Sequence, residues 1–159
     1  MTNTLYVLVG LPGSGKSTWA QKQNKDKICV ISTDKIRLIC FGDEQDQTHN
    51  GRVFDIAYCT LRGKGMENEN CIFDATNLDR KTRKRIFKEL KSYFAKFVAI
   101  YFDTPLDICL ERNEMRTRVV PEHVIENMAK KLEKPTTQEG FSGVFTISSN
   151  LITTKAREE

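Results

Sequence analysis

The sequence lacks the features that mark membrane, secreted and metal-cluster proteins. None of its apolar runs approaches the ~20 residues that a membrane-spanning helix needs. The N-terminus shows no secretion signal, because it leads directly into a strand-like segment. The five cysteines include no Cys-x-x-Cys pair, and the two histidines have no neighbour at metal-ligand spacing. We therefore expect a cytoplasmic protein with reduced thiols, no membrane association and no metal cluster.

The sequence also has no repeats, no low-complexity tracts and no strong charge bias. A chain of 159 residues with 39% hydrophobic and 29% charged side chains has the usual size and composition of one globular domain. We therefore expect a single domain over residues 1–159. The net charge of +4 favours anionic partners only weakly.

One segment near the N-terminus has the pattern of a phosphate-binding P-loop. An apolar run, residues 4–9, is followed at once by G-x-x-x-x-G-K-S and then by helix-forming residues. Glycines let successive N–H groups approach phosphate oxygens, the lysine adds positive charge, and the serine hydroxyl can hold Mg²⁺. The pattern predicts binding of ATP or another nucleoside triphosphate with Mg²⁺. The predicted nucleotide-binding residues are Gly10, Pro12, Gly13, Ser14, Gly15, Lys16, Ser17 and Thr18.

Apolar runs alternate with helix-forming segments along the rest of the chain. The predicted strands cover residues 4–9, 28–32, 71–73, 96–103 and 143–147, and the predicted helices cover 17–25, 35–39, 52–62, 80–94, 105–112 and 122–133. We expect a loop over residues 41–51, closure of the third helix by Gly63 and Gly65, and a frayed tail over residues 155–159. This alternation predicts an α/β fold with a five-stranded parallel sheet and helices on both faces.

Parallel sheets bind ligands at the carboxyl ends of their strands, so polar residues at those ends are candidates for chemistry. Asp34 follows the second strand and is either a helix N-cap or a general base, and Arg37 shares its helix face. Asp74 ends the third strand and is a candidate Mg²⁺ ligand. Thr76 and Asn77 either cap the next helix or contact substrate, and a turn is the expected role of Asp103.

Two groups of basic residues allow either a functional or a solvated role. Arg112, Arg116 and Arg118 lie in a polar link, which favours a mobile lid that neutralises phosphate charge. The run over residues 80–88 could bind a nucleic-acid backbone, but an exposed helix face explains it equally well.

Taken together, these motifs resemble the polynucleotide 5′-hydroxyl kinase family. The similarity rests on the P-loop, the Asp34-x-x-Arg37 pair, Asp74-Ala75-Thr76-Asn77, Arg112-Asn113-x-x-Arg116 before Val120-Pro121, and the segment over residues 133–141. The resemblance implies ATP- and Mg²⁺-dependent transfer of the γ-phosphate to the 5′-hydroxyl of a DNA or RNA end, as in nucleic-acid repair. The phosphatase domain that many members carry is absent from this sequence.

The resemblance also implies a role for each matching residue. Asp34 matches the general base, and Arg37 matches the residue that contacts the phosphate next to the acceptor nucleotide. Lys16, Ser17, Arg112 and Arg116 match residues that hold donor phosphates and Mg²⁺. Thr76 and Asn77 remain candidates for substrate binding.

The fold expected from these motifs is a P-loop NTPase kinase fold with an arginine-bearing lid. Two other functions remain open: a kinase of a small hydroxyl-bearing metabolite or nucleotide sugar, as in zeta-type toxins, and a nucleotide-binding module without an acceptor.

Overall fold

The fold is given by a computed structural model, which describes residues 1–23 and 28–148. Five strands in this part of the chain form one sheet: β1 (Thr4–Val9), β2 (Cys29–Ser32), β3 (Cys71–Asp74), β4 (Lys96–Asp103) and β5 (Gly143–Ser148). The strand order is β2-β3-β1-β4-β5 and every pairing is parallel. The predicted five-stranded parallel sheet is therefore confirmed.

Six α-helices lie within the described residues. They are α1 (Lys16–Gln23), α2 (Thr33–Phe41), α3 (Asn50–Met66), α4 (Arg80–Leu90), α5 (Leu106–Glu114) and α6 (Glu122–Lys131). A short 3₁₀ turn, Thr137–Glu139, precedes β5. No helix in this part of the chain has the length and apolarity to cross a membrane.

Helices cover both faces of the sheet, as the alternating sequence pattern predicts. Successive side chains of a strand point to opposite faces. On one face, Leu5 and Val7 of β1 pack in a core with residues of α3 and α4. On the other face, Leu8 packs in a second core with Ala20 of α1. The central strands of the sheet are therefore buried from both sides, whereas Phe145 of the edge strand β5 is exposed.

Two helix boundaries differ from the sequence prediction near the predicted loop. Ser32 caps α2, with its Oγ accepting a hydrogen bond from Lys35 N at 3.4 Å, so Asp34 lies in the first turn and is not the N-cap. α2 continues to Phe41 and ends at Gly42, whose φ of 77° is left-handed. α3 begins at Asn50, so the loop between the two helices is shorter than predicted.

The prediction that Gly63 and Gly65 close the third helix is wrong, because α3 continues to Met66. A Cβ on Gly65 would lie 2.7 Å from the carbonyl oxygen of Tyr93, whereas a Cβ on Gly63 would meet nothing within 4 Å. Gly65 therefore allows the backbone of Tyr93 to approach α3 closely, and it does not end the helix.

The fourth helix is shorter than the sequence predicts. α4 ends at Leu90 instead of continuing to residue 94, although Phe94 is still buried in the core. A turn after α4, and not a further helical turn, therefore brings Phe94 into the core. The last two residues of the predicted first helix and the predicted frayed tail lie outside the described residues.

Candidate active site

A cleft of about 990 Å³ lies at the carboxyl ends of the strands. Its walls come from the P-loop, the first turns of α2, the end of β3, the arginine segment (residues 112–118) and α6. The predicted site residues that line it are Pro12, Gly13, Gly15, Lys16, Ser17, Thr18, Asp34, Arg37, Asp74, Thr76, Arg112 and Arg116. The structure therefore brings residues from distant parts of the sequence around one space.

The P-loop is packed tightly against α5 and β4. Gly13 has a left-handed φ of 79°, and a Cβ there would lie 2.6 Å from the carbonyl oxygen of Cys109. Thr104 Oγ1 donates a hydrogen bond to the carbonyl of Ser14 at 3.0 Å. No local pattern in the sequence indicates this role of Thr104, because its contact with the loop depends on where β4 ends beside it. These contacts fix the shape of the loop.

Lys16 is almost entirely buried inside the P-loop, with 7% of its surface exposed. Its Nζ donates hydrogen bonds to the carbonyls of Gly10 at 2.9 Å and Leu11 at 2.7 Å. Burial lowers the pKa of Lys16 from 10.5 to about 8, an effect that the nearby Asp74 carboxylate partly opposes. The ammonium group is therefore held at the loop but loses its proton more easily than an exposed lysine.

Ser17 and Asp74 are the residues that the sequence predicts as Mg²⁺ ligands, and their side chains are in contact. Ser17 Oγ donates to Asp74 Oδ2 at 2.9 Å. Burial raises the pKa of Asp74, while the hydrogen bond from Ser17 and the charge of Lys16 oppose that rise. A hydroxyl and a carboxylate side by side match the oxygen ligands that Mg²⁺ prefers, so both side chains could hold the ion.

Asp34 lies between two arginines at the cleft. Its Oδ1 accepts from Arg37 Nη1 at 2.9 Å, and its Oδ2 pairs with Arg118 Nη1 at 2.9 Å. The Asp34 side chain is 41% exposed, and Arg37 is held from its other side by Asn50 Oδ1 at 2.7 Å. Sequence reasoning grouped Arg118 with the lid and missed this pairing, since nothing in the local pattern connects the two residues.

The arginine segment is anchored at both ends. Arg112 Nη1 lies 3.5 Å from the carbonyl of Gly13. The Asn113 amide bonds both backbone groups of Val120, donating to the carbonyl at 2.7 Å and accepting from the N–H at 2.9 Å. The segment is thus a closed loop with a fixed base, and Arg116 lines the cleft from it.

Gly10, Ser14 and Asn77 are the predicted site residues that do not line the cleft. The Gly10 N–H donates to the carbonyl of Thr76, and Asn77 Nδ2 donates to the carbonyl of Leu8 at 2.8 Å. Asp79 caps α4 by accepting from Thr82 N at 2.7 Å, so the alternative that Thr76 or Asn77 caps this helix is wrong. Thr76 keeps a place in the cleft, whereas Asn77 holds β3 against β1.

The arginines of the basic run on α4 are engaged by carboxylates. Arg83 is fully buried and binds Glu139 through Nε at 2.8 Å and Nη2 at 2.9 Å. Arg80 lies 3.6 Å from Glu133. The run is therefore in part a structural contact with the segment before β5, and within it Lys81, Lys84 and Lys88 are exposed.

Comparison with known proteins gives one family and several relatives. The family model described as "AAA domain" matches residues 5–135. L-seryl-tRNA(Sec) kinase of Methanococcus maripaludis is 30% identical over 142 residues, which cover 84% of this chain and 54% of that protein. The chain therefore spans about half the length of this relative.

Two solved structures have the same fold. A chain of the Pnkp1/Rnl/Hen1 RNA repair complex superposes with a TM-score of 0.75 at 26% identity, covering 89% of this chain and 47% of that one. Kti12 of Chaetomium thermophilum in complex with ADP-AlF3 superposes with a TM-score of 0.71 at 18% identity, covering 92% of this chain and 89% of that one.

Proposed function

We propose that this chain, which belongs to the AAA domain family, is a polynucleotide 5′-hydroxyl kinase. Its described residues form a P-loop kinase-type domain. The observation that carries the proposal is that Asp34 and the P-loop lysine, Lys16, line the same cleft. The reaction is transfer of the γ-phosphate of ATP to the 5′-hydroxyl of a DNA or RNA end, as a step in repairing broken ends.

The donor triphosphate is held by the P-loop and the arginine segment. Backbone N–H groups of Gly13 and of residues 15–18, with the N-terminus of α1, supply positive ends of dipoles for the phosphates. Lys16, Arg112 and Arg116 line the same cleft and add positive charge for the phosphates. Ser17 and Asp74 hold Mg²⁺, which when bound neutralises charge on the donor phosphates.

The acceptor lies on the side of the cleft formed by α2. Asp34 accepts the proton of the 5′-hydroxyl group. At the same time, the oxygen of that hydroxyl group forms a bond to the γ-phosphorus of ATP. The bond between that phosphorus and the bridging oxygen of ADP breaks, and the electron pair stays on ADP. Arg37 holds the phosphate next to the acceptor nucleotide, because a guanidinium binds phosphate oxygens in a fixed, directional geometry. Thr76 also lines the cleft and is a further candidate for contact with the acceptor.

The proposal is tested with labelled γ-phosphate transfer to a 5′-hydroxyl oligonucleotide. Replacing Asp34 by alanine is expected to lower kcat by about 10²- to 10⁴-fold, because the general base is lost, and to leave ATP affinity within about threefold of wild type. Asp103→Ala is the matched control, because this exposed aspartate lies at the carboxyl end of β4 but does not line the cleft. Equal loss of ATP binding and transfer in the Asp34 variant would show that Asp34 is structural.

A second acceptor has support of its own. The 30% identity to L-seryl-tRNA(Sec) kinase over 84% of this chain favours a hydroxyl on an aminoacyl group carried by tRNA. The same assay therefore includes seryl-tRNA and a panel of small hydroxyl-bearing metabolites. Labelling of the tRNA-borne serine alone would select the second acceptor, and labelling of a metabolite alone would reject both.

A further inference from the structure

The proposed general base is engaged at both of its oxygens. Asp34 Oδ1 accepts a hydrogen bond from Arg37 at 2.9 Å, and Oδ2 forms an ion pair with Arg118 at 2.9 Å. A hydroxyl that approaches Asp34 therefore has to compete with guanidinium groups that already lie against both carboxylate oxygens. If Asp34 takes the acceptor's proton, at least one of these arginines has to leave it during the reaction.

The two arginines differ in how firmly they are held. Arg37 lies on the same helix as Asp34, has 8% of its side chain exposed, and donates a second bond to Asn50 at 2.7 Å. Arg118 belongs to the arginine segment, has 19% of its side chain exposed, and its other carboxylate partner, Glu44, is 3.8 Å away. Arg118 is therefore the arginine that can exchange its partner at lower cost.

Both arginines retain capacity to bind an anion. Among the described residues, neither Arg37 Nε nor Arg118 Nε has a hydrogen-bond partner, although both atoms are buried. Buried guanidinium N–H groups without acceptors are costly. Both side chains line the cleft, so an anionic group of the acceptor could satisfy them.

We propose that Arg118 is a positioning residue that exchanges Asp34 for the phosphate next to the acceptor nucleotide. This inference rests on the proposed function. In the structure Arg118 connects the arginine segment to α2 through Asp34. When it turns to the acceptor phosphate, Asp34 is left free to accept the hydroxyl proton, and Arg118 still ties the arginine segment to the acceptor side. Occupation of the acceptor site thereby activates the base.

The test compares two acceptors across two proteins. One oligonucleotide has a normal first phosphate, and in the other that phosphate is replaced by a neutral methylphosphonate. For wild type, the neutral acceptor is expected to lower kcat/KM by about 10- to 100-fold, the effect of losing a charged hydrogen bond. For Arg118→Ala, the normal acceptor is expected to lose part of this factor, because Arg37 still holds the phosphate, and the neutral acceptor is expected to lose no activity, because removing Arg118 leaves Asp34 free.

Further readouts separate positioning from a general structural effect. Arg118→Ala is expected to raise the KM for the normal acceptor and to leave the KM for ATP nearly unchanged, and Arg118→Lys is expected to recover part of the loss. Lys81→Ala, which removes an exposed charge on α4, is the control. It should leave kcat/KM unchanged for both acceptors.

An equal loss on both acceptors, or no loss on either, would overturn the role of Arg118. An inactive wild-type protein on every oligonucleotide would instead reject the proposed function and this inference with it.

Discussion

Lys16 and Asp74 place two opposite charges in a buried part of the cleft. Burial lowers the pKa of the lysine to about 8 and raises that of the aspartate, and each charge partly offsets the shift of the other. The contacts of Lys16 with the carbonyls of Gly10 and Leu11 help to hold the ammonium in place. Ligand binding at this site is therefore linked to the protonation of Lys16.

Nucleotide affinity is expected to fall as pH rises above about 8. The protonated ammonium is the form that attracts phosphate. Nucleotide affinity is therefore highest below the pKa of Lys16 in the free protein, and it decreases by at most about tenfold per pH unit above that pKa. Phosphate ionisation does not cause the change, because its last pKa is about 6. Titrating ATP binding by calorimetry from neutral to alkaline pH measures the effect.

The control for this prediction is Lys16→Ala, whose nucleotide affinity should be weak and nearly independent of pH in the same range. A wild-type profile that stays flat would mean that the ammonium keeps its proton in the free protein or adds nothing to binding.

Among the secondary-structure elements, α3 shows how packing overrides local preference. Glycine costs about 1 kcal/mol relative to alanine inside a helix, and α3 nevertheless continues past Gly63 and Gly65. Gly65 faces the turn after α4, where the backbone of Tyr93 approaches it and Asn3 Nδ2 bonds its carbonyl at 3.1 Å. The helix tolerates one glycine because the close contact requires it.

These two glycines therefore predict opposite effects of the same substitution. Gly65→Ala is expected to lower the free energy of unfolding by about 1–3 kcal/mol, because its Cβ would force the Tyr93 backbone away. Gly63→Ala is expected to raise it by up to about 1 kcal/mol, because the added Cβ meets open space and alanine favours the helix. Urea unfolding of both variants measures the difference. Similar values for the two would show that the contact at Gly65 yields easily.

At the scale of the whole molecule, the sheet could be predicted from the sequence because each strand is short, apolar and bounded by polar residues. Strands buried on both faces, such as β3, have this composition whatever their neighbours are. Parallel strands also bring their ends to one edge, so the meeting of Asp34, Asp74 and the P-loop at one cleft followed from the alternation alone.

The remaining features depend on contacts between residues far apart in the chain. The pairing of Arg118 with Asp34, and the buried pair of Arg83 with Glu139, have no local signature. A buried arginine looks like an exposed one in a basic run until the segment that supplies its carboxylate is placed beside it. The same reason explains the error at Gly65.

The charge on α4 is smaller in the folded molecule than the sequence suggests. Arg83 and Arg80 are paired with Glu139 and Glu133, and Arg85 lies 3.3 Å from Asp55 and 4.9 Å from the centre of the Tyr58 ring. Three exposed lysines remain, and surface charges of this kind have no fixed geometry. We therefore infer that an oligonucleotide end is bound at the cleft and not along α4.

This inference predicts a weak dependence of oligonucleotide affinity on salt. Arg37 and Arg118 hold the same phosphate, and one neutralised phosphate gives a slope of log affinity against log salt of about −0.7 for a single strand, whereas three more phosphates along α4 would give about −2.8. The slope is measured by fluorescence anisotropy with a labelled 5′-hydroxyl oligonucleotide over a salt series. Replacing Lys81, Lys84 and Lys88 together by alanine should leave it unchanged. A steep slope that becomes shallow in this triple variant would instead place the nucleic-acid backbone along α4, and the cleft would then hold only the reacting terminus.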